Sequence, residues 1–470
     1  MLRGAGAAAA AVASGRAMRA GAQESGESAI AEAAAAKDAA GVGGGSGVLF
    51  RDVRIFDGAS PKLTPRSHVL VVGNQIVKIS NAPIVPPSGA FVIDGGGRTV
   101  MPGLIDAHAH AMFAGIPLTV LLTGDPGYIN VVAARDLGGM LRRGFTTIRD
   151  MQGPVFGIKQ AIDSGVTPGP RIFPSGAMLS QTSGHADFRF LYEIPLDPAA
   201  PLGHAQIEGA SAIADGVDEV LRATREQLMK GASQIKLAGG GGASSNYDPI
   251  DVIEYGEAEI RAAVGAAEDW NTYVAIHVYN SRSIKRAVAA GVASIEHGHL
   301  ANDDAARFMA EKNVWWSLQP FTTDSPSGFP AGSENWLKQQ EVRSATDTAY
   351  ELAKKYRVKT AWGTDILFNP AAVADQNAYL TKMTRWYTPA EVLKMATSDN
   401  AALLALSGPR SPYKGQLGVV QMGAFADLLL VDGDPLQDLS LLGDPEANLL
   451  VVMKDGQIYK QSSTLTAAYA

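Results

Sequence analysis

The chain has no cysteine in 470 residues. It can therefore form neither a disulfide framework nor a thiolate metal site, and any metal chemistry must use histidine and oxygen ligands. It also lacks a strongly apolar run of about 18 residues, the length that crosses a bilayer. The nearest candidate, residues 5–14, is mostly alanine, with one glycine, one valine and one serine. We expect no membrane span.

Basic residues are not concentrated in any patch with interleaved aromatic residues, and the net charge is -7. We therefore expect no nucleic-acid partner. No Gly-rich dinucleotide loop follows the first strand of the predicted core, which argues against an open doubly wound sheet. The Gly239–Gly242 run is not a phosphate loop either, because no Gly-Lys-Ser/Thr follows it.

Residues 1–47 are low-complexity Ala/Gly/Ser sequence with three arginines and no acidic residue before Glu24. This composition fits an export or transit segment, and it equally fits a disordered tail that carries no targeting signal. Export to the periplasm or the medium and a cytoplasmic location both stay open.

The remainder divides into three further segments. Residues 48–100 and 406–470 carry alternating apolar and polar residues with hairpin turns, and each is too small for a core of its own. We predict that they pair into a small β-sandwich domain built from both chain ends. The segment 101–405 lies between them as a separate domain.

Within residues 101–405, eight short apolar runs alternate with Ala-rich helical stretches. Such alternation is typical of βα units around a parallel sheet, and eight units in about 300 residues favour a (β/α)₈ barrel of the TIM type. The predicted strands are PGLIDAHAH, FTTIRDM, RIFPSGAML, QIKLAGG, YVAIHVY, SIEHGH, NVWWSLQ and KTAWGTD.

Four of the eight histidines, His108, His110, His277 and His297, lie at the carboxyl ends of predicted barrel strands. Barrel enzymes build their active sites at this rim. His108 and His110 are two residues apart, so both imidazoles face the same side of a strand and can share one ion. In isolation this pair also fits two ordinary histidines.

Lys236 and Asp365 extend the set. Lys236 points inward among apolar residues, where an unpaired ammonium costs about several kcal/mol. Reaction of its neutral amine with carbon dioxide would give an anionic carbamate able to bridge two cations. Asp365 ends the eighth strand, beside the first strand of a closed barrel, where it could bind a metal and accept a proton. A solvated lysine and a helix-capping aspartate are the ordinary alternatives.

Together these residues resemble the amidohydrolase superfamily in its binuclear, carbamylated-lysine form. The resemblance implies that His108, His110 and Asp365 hold one divalent ion, that His277 and His297 hold the other, and that carboxylated Lys236 and a hydroxide bridge them. We expect zinc, with Asp365 as the proton shuttle. His299 competes with His297, which we prefer because the family's ligand directly precedes the glycine.

The segments SQTSGHADFR, GGGGASSNYDP and HVY are similar to the prolidase-like branch of that superfamily, which includes ochratoxinase and dipeptidases. By this resemblance His185 and Tyr279 contact the carboxylate or carbonyl of the substrate. A loop histidine packed on a turn and a tyrosine in the barrel wall are the structural alternatives.

The resulting hypothesis is a metal-dependent enzyme that cleaves an amide bond to a C-terminal amino acid, using a metal-bridging hydroxide. Its substrate would be a dipeptide, an N-acyl amino acid or an ochratoxin-like amide. One alternative keeps the site but acts on a lactone, a cyclic imide or a phosphoester. Another is an inactive scaffold protein that has lost its metals. As partners we expect a small-molecule substrate and further copies of this chain in a homo-oligomer.

Overall fold

Nineteen strands form the sheets of the computed structural model, which describes residues 47–194, 201–325 and 327–470. Apart from Gly47, the expected leader lies outside the described residues. The strands are β1 (Val48–Ile55), β2 (Ser67–Val72), β3 (Gln75–Ser80), β4 (Phe91–Asp94), β5 (Thr99–Pro102), β6 (Leu104–Ala109), β7 (Phe145–Asp150), β8 (Arg171–Pro174), β9 (Met178–Ser180), β10 (Ser211–Ile213), β11 (Ile235–Ala238), β12 (Val274–Asn280), β13 (Ser294–Leu300), β14 (Trp315–Leu318), β15 (Lys359–Trp362), β16 (Leu428–Val431), β17 (Leu449–Lys454), β18 (Gln457–Gln461) and β19 (Ala467–Tyr469).

Strands from both chain ends form one antiparallel and mixed sheet system. The order β18-β17-β16-β5-β1-β2-β3 joins C-terminal to N-terminal strands, and β4 pairs with β1 and β19. Strand β1 has an irregularity between Phe50 and Val53 and pairs with β2 on both sides of it, with β4 over residues 48–51 and with β5 over residues 54–55. A separate apolar core fills this part of the molecule, as the alternating pattern predicts.

The central segment contains the eight predicted strand positions, all parallel to their neighbours. Strands β6, β7 and β8 form one sheet, and a second sheet has the order β10-β9-β11-β12-β13-β14-β15. The run expected as the third strand is split into β8 and β9, because Gly176 takes a left-handed φ of 75°.

Hydrogen bonds join the two parallel sheets on both sides. At one seam the Asp365 amide donates to the His108 carbonyl (2.8 Å), and at the other the Ser233 amide donates to the Pro174 carbonyl (2.8 Å). The Asn400 side-chain amide donates to the carbonyls of Ile105 and Trp362, which holds β6 beside β15. The predicted α/β class, a barrel of parallel strands with a sandwich from both ends, is confirmed.

Helices connect the parallel strands and cover their outer faces. In the helix Val217–Lys230 the buried side chains recur at helical spacing, acidic residues occupy its first turn, and Gly231 ends it with a φ of 101°. The α-helices are Leu118–Thr123, Pro126–Arg142, Phe156–Asp163, His204–Ile207, Val217–Lys230, Glu257–Asp269, Ser281–Ala289, Asp303–Glu311, Glu334–Ser344, Thr346–Tyr356, Gln376–Thr381, Pro389–Lys394, Asn400–Leu404 and Pro445–Asn448. Within the described ranges no helix is long and apolar enough to span a bilayer.

Short helical turns of other types complete the connections. The 3₁₀ segments are Leu191–Glu193, Pro370–Asp375, Lys382–Arg385, Ala405–Arg410 and Leu439–Gly443, and Met395–Asp399 is a π-helical segment.

Candidate metal centre and active site

The strand-1 histidines meet Asp365 at the carboxyl rim. His108 lies within β6, His110 one residue beyond it, and Asp365 three residues beyond β15. The Nε2 atoms of His108 and His110 lie 3.3 Å and 2.9 Å from Asp365 Oδ1. Residues more than 250 positions apart in sequence therefore share one site, as closure of the barrel requires.

His277 and His297 lie next to this group, on strands β12 and β13. The His277 and His297 ring centroids are 4.5 Å apart, and those of His108 and His297 are 4.7 Å apart. His297 Nδ1 lies 3.8 Å from Asp365 Oδ2. The Tyr279 ring stands edge-on to His277 at 5.0 Å.

The backbone at two of these positions is left-handed. His297 has φ 69°, Gly298 has φ 67°, and Asp365 has φ 52°. Non-glycine residues in this region are uncommon and cluster at functional sites. Because β13 turns here, His297 and His299 do not follow simple alternation.

His299 differs from His297 in not lining the cavity, although both contact Gln319: His297 Nδ1 lies 2.7 Å from Gln319 Oε1. The Nε2 atom of His299 interacts with the Gln319 carbonyl oxygen at 2.9 Å, and its ring lies 5.1 Å from that of Phe321. His108, His297 and Asp365 each offer a ligand atom, and these three atoms all lie within 4.8 Å of one another. One cation could therefore contact all three side chains.

Lys236 lies on β11 with 1 % of its surface exposed, and it lines the same cavity as the histidines. Burial lowers the pKa of its ammonium from 10.5 to about 8, although Glu296 and Asp365 act in the opposite direction. A neutral amine is the form that reacts with carbon dioxide.

The protonation states of the cluster suit metal ligation. Burial is the main cause that lowers the pKa of His108, His277 and His297 well below 6.5, so their imidazoles are neutral near pH 7. Burial alone would raise the pKa of Asp365, but the hydrogen bond with His110 and nearby positive charge, including that of Lys236, outweigh it and hold the pKa below 3.8. Neutral imidazoles and an ionised carboxylate are the forms that bind cations.

Four buried imidazole nitrogens have no hydrogen-bond partner among the described residues, and two of them, His108 Nε2 and His110 Nδ1, belong to the cluster; the others are His204 Nε2 and His299 Nδ1. Buried polar atoms are normally satisfied. The donor types and the two unsatisfied atoms of the cluster therefore fit a cation site at the rim.

A buried ion pair supports His108 from below. The Nδ1 atom of His108 lies 2.8 Å from Glu296 Oε2, and both Glu296 oxygens accept from the Arg149 guanidinium at 2.8 Å. The Ser294 hydroxyl donates to Glu296 Oε1 at 2.5 Å. This carboxylate directs His108 Nε2 toward the cluster, the arrangement in which outer carboxylates orient metal-binding histidines.

Asp106 ties the first strand to the segment after the eighth. Its carboxyl accepts from the His108 amide (3.0 Å), from the Thr364 hydroxyl (2.7 Å) and from the Gln376 side chain (3.0 Å). Burial raises its pKa to about 6 against the effect of these donors. The contacts fix the distance between His108 and Asp365.

His185 lies over the cluster on the loop after β9. Its ring stacks on His277 at 4.0 Å with 17° between the planes. Its Nδ1 lies 2.6 Å from Ser245 Oγ and 3.2 Å from Asp248 Oδ2. Gly242 lies against the ring so closely that a Cβ there would approach His185 Nδ1 to 2.2 Å. The absence of a side chain at Gly242 thus permits this close packing against the imidazole.

These residues line a cavity of about 120 Å³. Its wall is mainly apolar and aromatic, and it includes Tyr279 and the buried Arg343, whose pKa burial lowers. Among the described residues Asp365 is the one acidic side chain that lines it, and the remaining apolar lining includes Met178, Phe321, Phe329, Val342, Ile366 and Phe368. The cavity thus combines an apolar wall with a few polar and charged side chains, as small-molecule sites do.

Residues 99–459 match the Amidohydrolase family model. The chain belongs to the amidohydrolase family. The family resemblance identified from the sequence is confirmed.

A similar sequence and two similar crystal structures indicate which members of the amidohydrolase family this chain resembles. Ochratoxinase from Aspergillus niger is 31% identical over 380 residues, which cover 77% of this chain and 75% of that protein. The crystal structure of an amidohydrolase (37% identity, TM-score 0.81) and that of a prolidase complexed with N-methylphosphonate-L-proline (35% identity, TM-score 0.81) each cover 89% of this chain and 100% of the matched chain. The chain is similar to the ochratoxinase and prolidase-like members.

The six proposed ligands and the two proposed substrate contacts all line one cavity, although the metal-binding and substrate roles stay predictions. The sequence analysis does not identify the supporting residues Asp106, Arg149, Ser245, Asp248 and Glu296. Glu296 directly precedes His297, and Arg149 lies near the end of the second strand. A charged residue inside an apolar strand needs a buried partner, so the positions of Arg149 and Glu296 in their strands were the signal that could have identified them.

Proposed function

We propose that this amidohydrolase is a binuclear metal-dependent enzyme that hydrolyses the amide bond to a C-terminal amino acid. The observation that carries the proposal is the convergence of His108, His110 and Asp365 with the remaining imidazoles and Lys236 in one cavity. The similarity to ochratoxinase and to a prolidase supports the substrate class.

The donors divide into two sets. His108, His110 and Asp365 would hold one divalent cation, His277 and His297 would hold the other, and Lys236 as a carbamate would bridge them; we expect zinc. When bound, the cations supply Lewis-acid polarisation of the carbonyl and lower the pKa of a water to about 7.

The side chains of the chain supply the proton transfers and the binding. The Asp365 carboxylate accepts the proton of the attacking water and returns it to the leaving nitrogen. His185 and Tyr279 contact the carboxylate or carbonyl of the substrate, and the apolar wall holds the acyl group. The substrate is a small molecule, and we propose that the protein acts as a homo-oligomer.

A substrate scan tests the reaction class. We expect the purified protein to hydrolyse N-acetyl-L-phenylalanine or a dipeptide, with about two divalent ions per chain by elemental analysis. Turnover of a lactone, a cyclic imide or a phosphotriester without any amide hydrolysis would overturn the amide assignment. Fewer than about one ion per chain and no turnover would favour the scaffold alternative.

Asp365→Asn tests the proton transfer. We expect kcat to fall about 10³-fold, within the range of general acid–base catalysis, while circular dichroism shows the fold retained. Asp218→Asn makes the same chemical change at an exposed position and serves as the control. Near-normal turnover by Asp365→Asn would exclude this residue as the proton shuttle.

A further inference from the structure

A hydrogen-bonded relay lies behind His185, on the side away from the cavity. The Ser245 hydroxyl donates to Asp248 Oδ2 at 2.6 Å, and His185 Nδ1 lies within reach of both side chains. All three residues are buried, with exposures of 5 % for His185 and 1 % for Ser245 and Asp248.

The donors and acceptors in this relay define the state of His185 Nδ1. The Asp248 carboxylate accepts hydrogen bonds, and the Ser245 hydroxyl donates its hydrogen to Asp248 Oδ2. Ser245 Oγ and Asp248 Oδ2, the two oxygens that face Nδ1, are therefore both hydrogen-bond acceptors. Nδ1 must then carry the hydrogen. The other ring nitrogen, Nε2, has no hydrogen bond to any described residue, and the ring lines the cavity.

The loop that carries the relay is anchored independently of His185. Lys338 Nζ donates to the carbonyls of Ser245 (3.1 Å) and Asp248 (2.9 Å), and the Gly242 amide donates to Asp248 Oδ2 (2.6 Å). The acceptors are thus held in place before any substrate binds, as preorganised sites require.

We propose that Asp248 and Ser245 are positioning residues for His185, which hold Nδ1 protonated and present Nε2 to the carboxylate or carbonyl oxygen of the substrate. An aspartate behind Nδ1 fixes the orientation of an imidazole and balances its charge when Nε2 also carries a proton. The inference rests on the proposed function, because it takes His185 as a substrate contact.

The first test is kinetic, with N-acetyl-L-phenylalanine as the probe. We expect Asp248→Asn to raise KM about tenfold and Ser245→Ala about threefold, with kcat changed by less than about twofold. The control Asp251→Asn removes an exposed carboxylate three residues along the same chain segment, and we expect its KM within about twofold of the wild-type value. A lower kcat with unchanged KM would overturn the proposal.

A double-mutant cycle separates positioning from a merely structural role. In the His185→Ala background, Asp248→Asn should change KM by less than about twofold, because the group that it positions is gone. If the two changes instead multiply, Asp248 acts independently of His185 and the proposal is wrong.

The second readout is the imidazole ¹⁵N spectrum of the metal-loaded protein, with the His185 signal identified by its loss in His185→Ala. We expect a protonated Nδ1 in the wild-type protein and a shift toward the other tautomer in Asp248→Asn. An unchanged His185 spectrum in that variant would overturn the proposal. If the wild-type protein hydrolysed no amide, the proposed function would fail, yet this measurement would still decide the positioning role.

Discussion

At the scale of single residues, charge state decides what each side chain can do. His108, His277 and His297 are kept neutral mainly by burial, whereas Asp365 stays ionised because the hydrogen bond with His110 and nearby positive charge, including that of Lys236, outweigh the effect of burial. Lys236 combines near-complete burial with a pKa of about 8, which makes its amine available for modification near neutral pH.

His297 and His299 can be distinguished by metal content. We expect His297→Gln to lose at least about half of the bound metal, because its ring lines the cavity 4.7 Å from the His108 ring, with Nδ1 held by Gln319 Oε1. His299→Gln should retain the full content, since the His299 Nε2 atom is engaged by the Gln319 carbonyl oxygen. Elemental analysis after dialysis provides the measurement. The reverse pattern would identify His299 as the strand-6 ligand.

At the scale of secondary-structure elements, buried charges link neighbouring strands beneath the site. Arg149 on β7, Glu296 on β13 and His108 on β6 form one chain of contacts with side chains that are at most 1% exposed. Burial lowers the pKa of Arg149, whereas the negative charge of Glu296 raises it. The effect of Glu296 is larger, so the pKa of Arg149 is raised overall. The pair is ionised in the interior, where removal of one partner leaves an uncompensated charge.

Removal of the Glu296 charge should therefore destabilise the protein. We expect Glu296→Gln to lower the free energy of unfolding of the metal-free protein by about 3–5 kcal/mol, measured by urea denaturation. The exposed helical pair Arg222–Glu226 offers the control, and Glu226→Gln should cost less than about 1 kcal/mol. Equal effects of the two substitutions would contradict the structural role given to Glu296.

At the scale of the whole molecule, a second buried ion pair joins the barrel to the sandwich. Arg171 at the start of β8 contacts Asp427 (3.0 Å) just before β16 and Asp455 (2.8 Å) in the turn after β17. Its guanidinium also lies 4.0 Å from the centre of the Phe425 ring. Three separate parts of the sequence are thus tied at one position.

Arg171→Met should loosen this junction. We expect a loss of about 3–5 kcal/mol in the free energy of unfolding, because Asp427 would remain buried without its partner. The exposed pair Arg51–Asp94 gives the matched control, and Arg51→Met should cost less than about 1 kcal/mol. Thermal unfolding of both variants provides the measurement. A negligible effect of Arg171→Met would show that packing alone holds the two parts together.

The architecture and the candidate ligands could be predicted from the order and composition of the chain segments. Hydrophobic runs with a regular alternation specify parallel strands, and histidines at the ends of those runs mark the rim of the barrel. His108, His110 and Asp365 could be grouped because closure of a barrel makes the first and last strands neighbours.

The groups that support this cluster become visible in the folded protein, and the sequence does not reveal them. No local pattern shows that Glu296 faces Arg149 and His108, or that Asp248 lies behind His185, because these contacts depend on how strands and loops converge in space. The left-handed backbone at His297 and Asp365 was equally hidden, since sequence alternation assumes regular strands. Long-range packing, which no short segment encodes alone, sets the orientation of every side chain in the site.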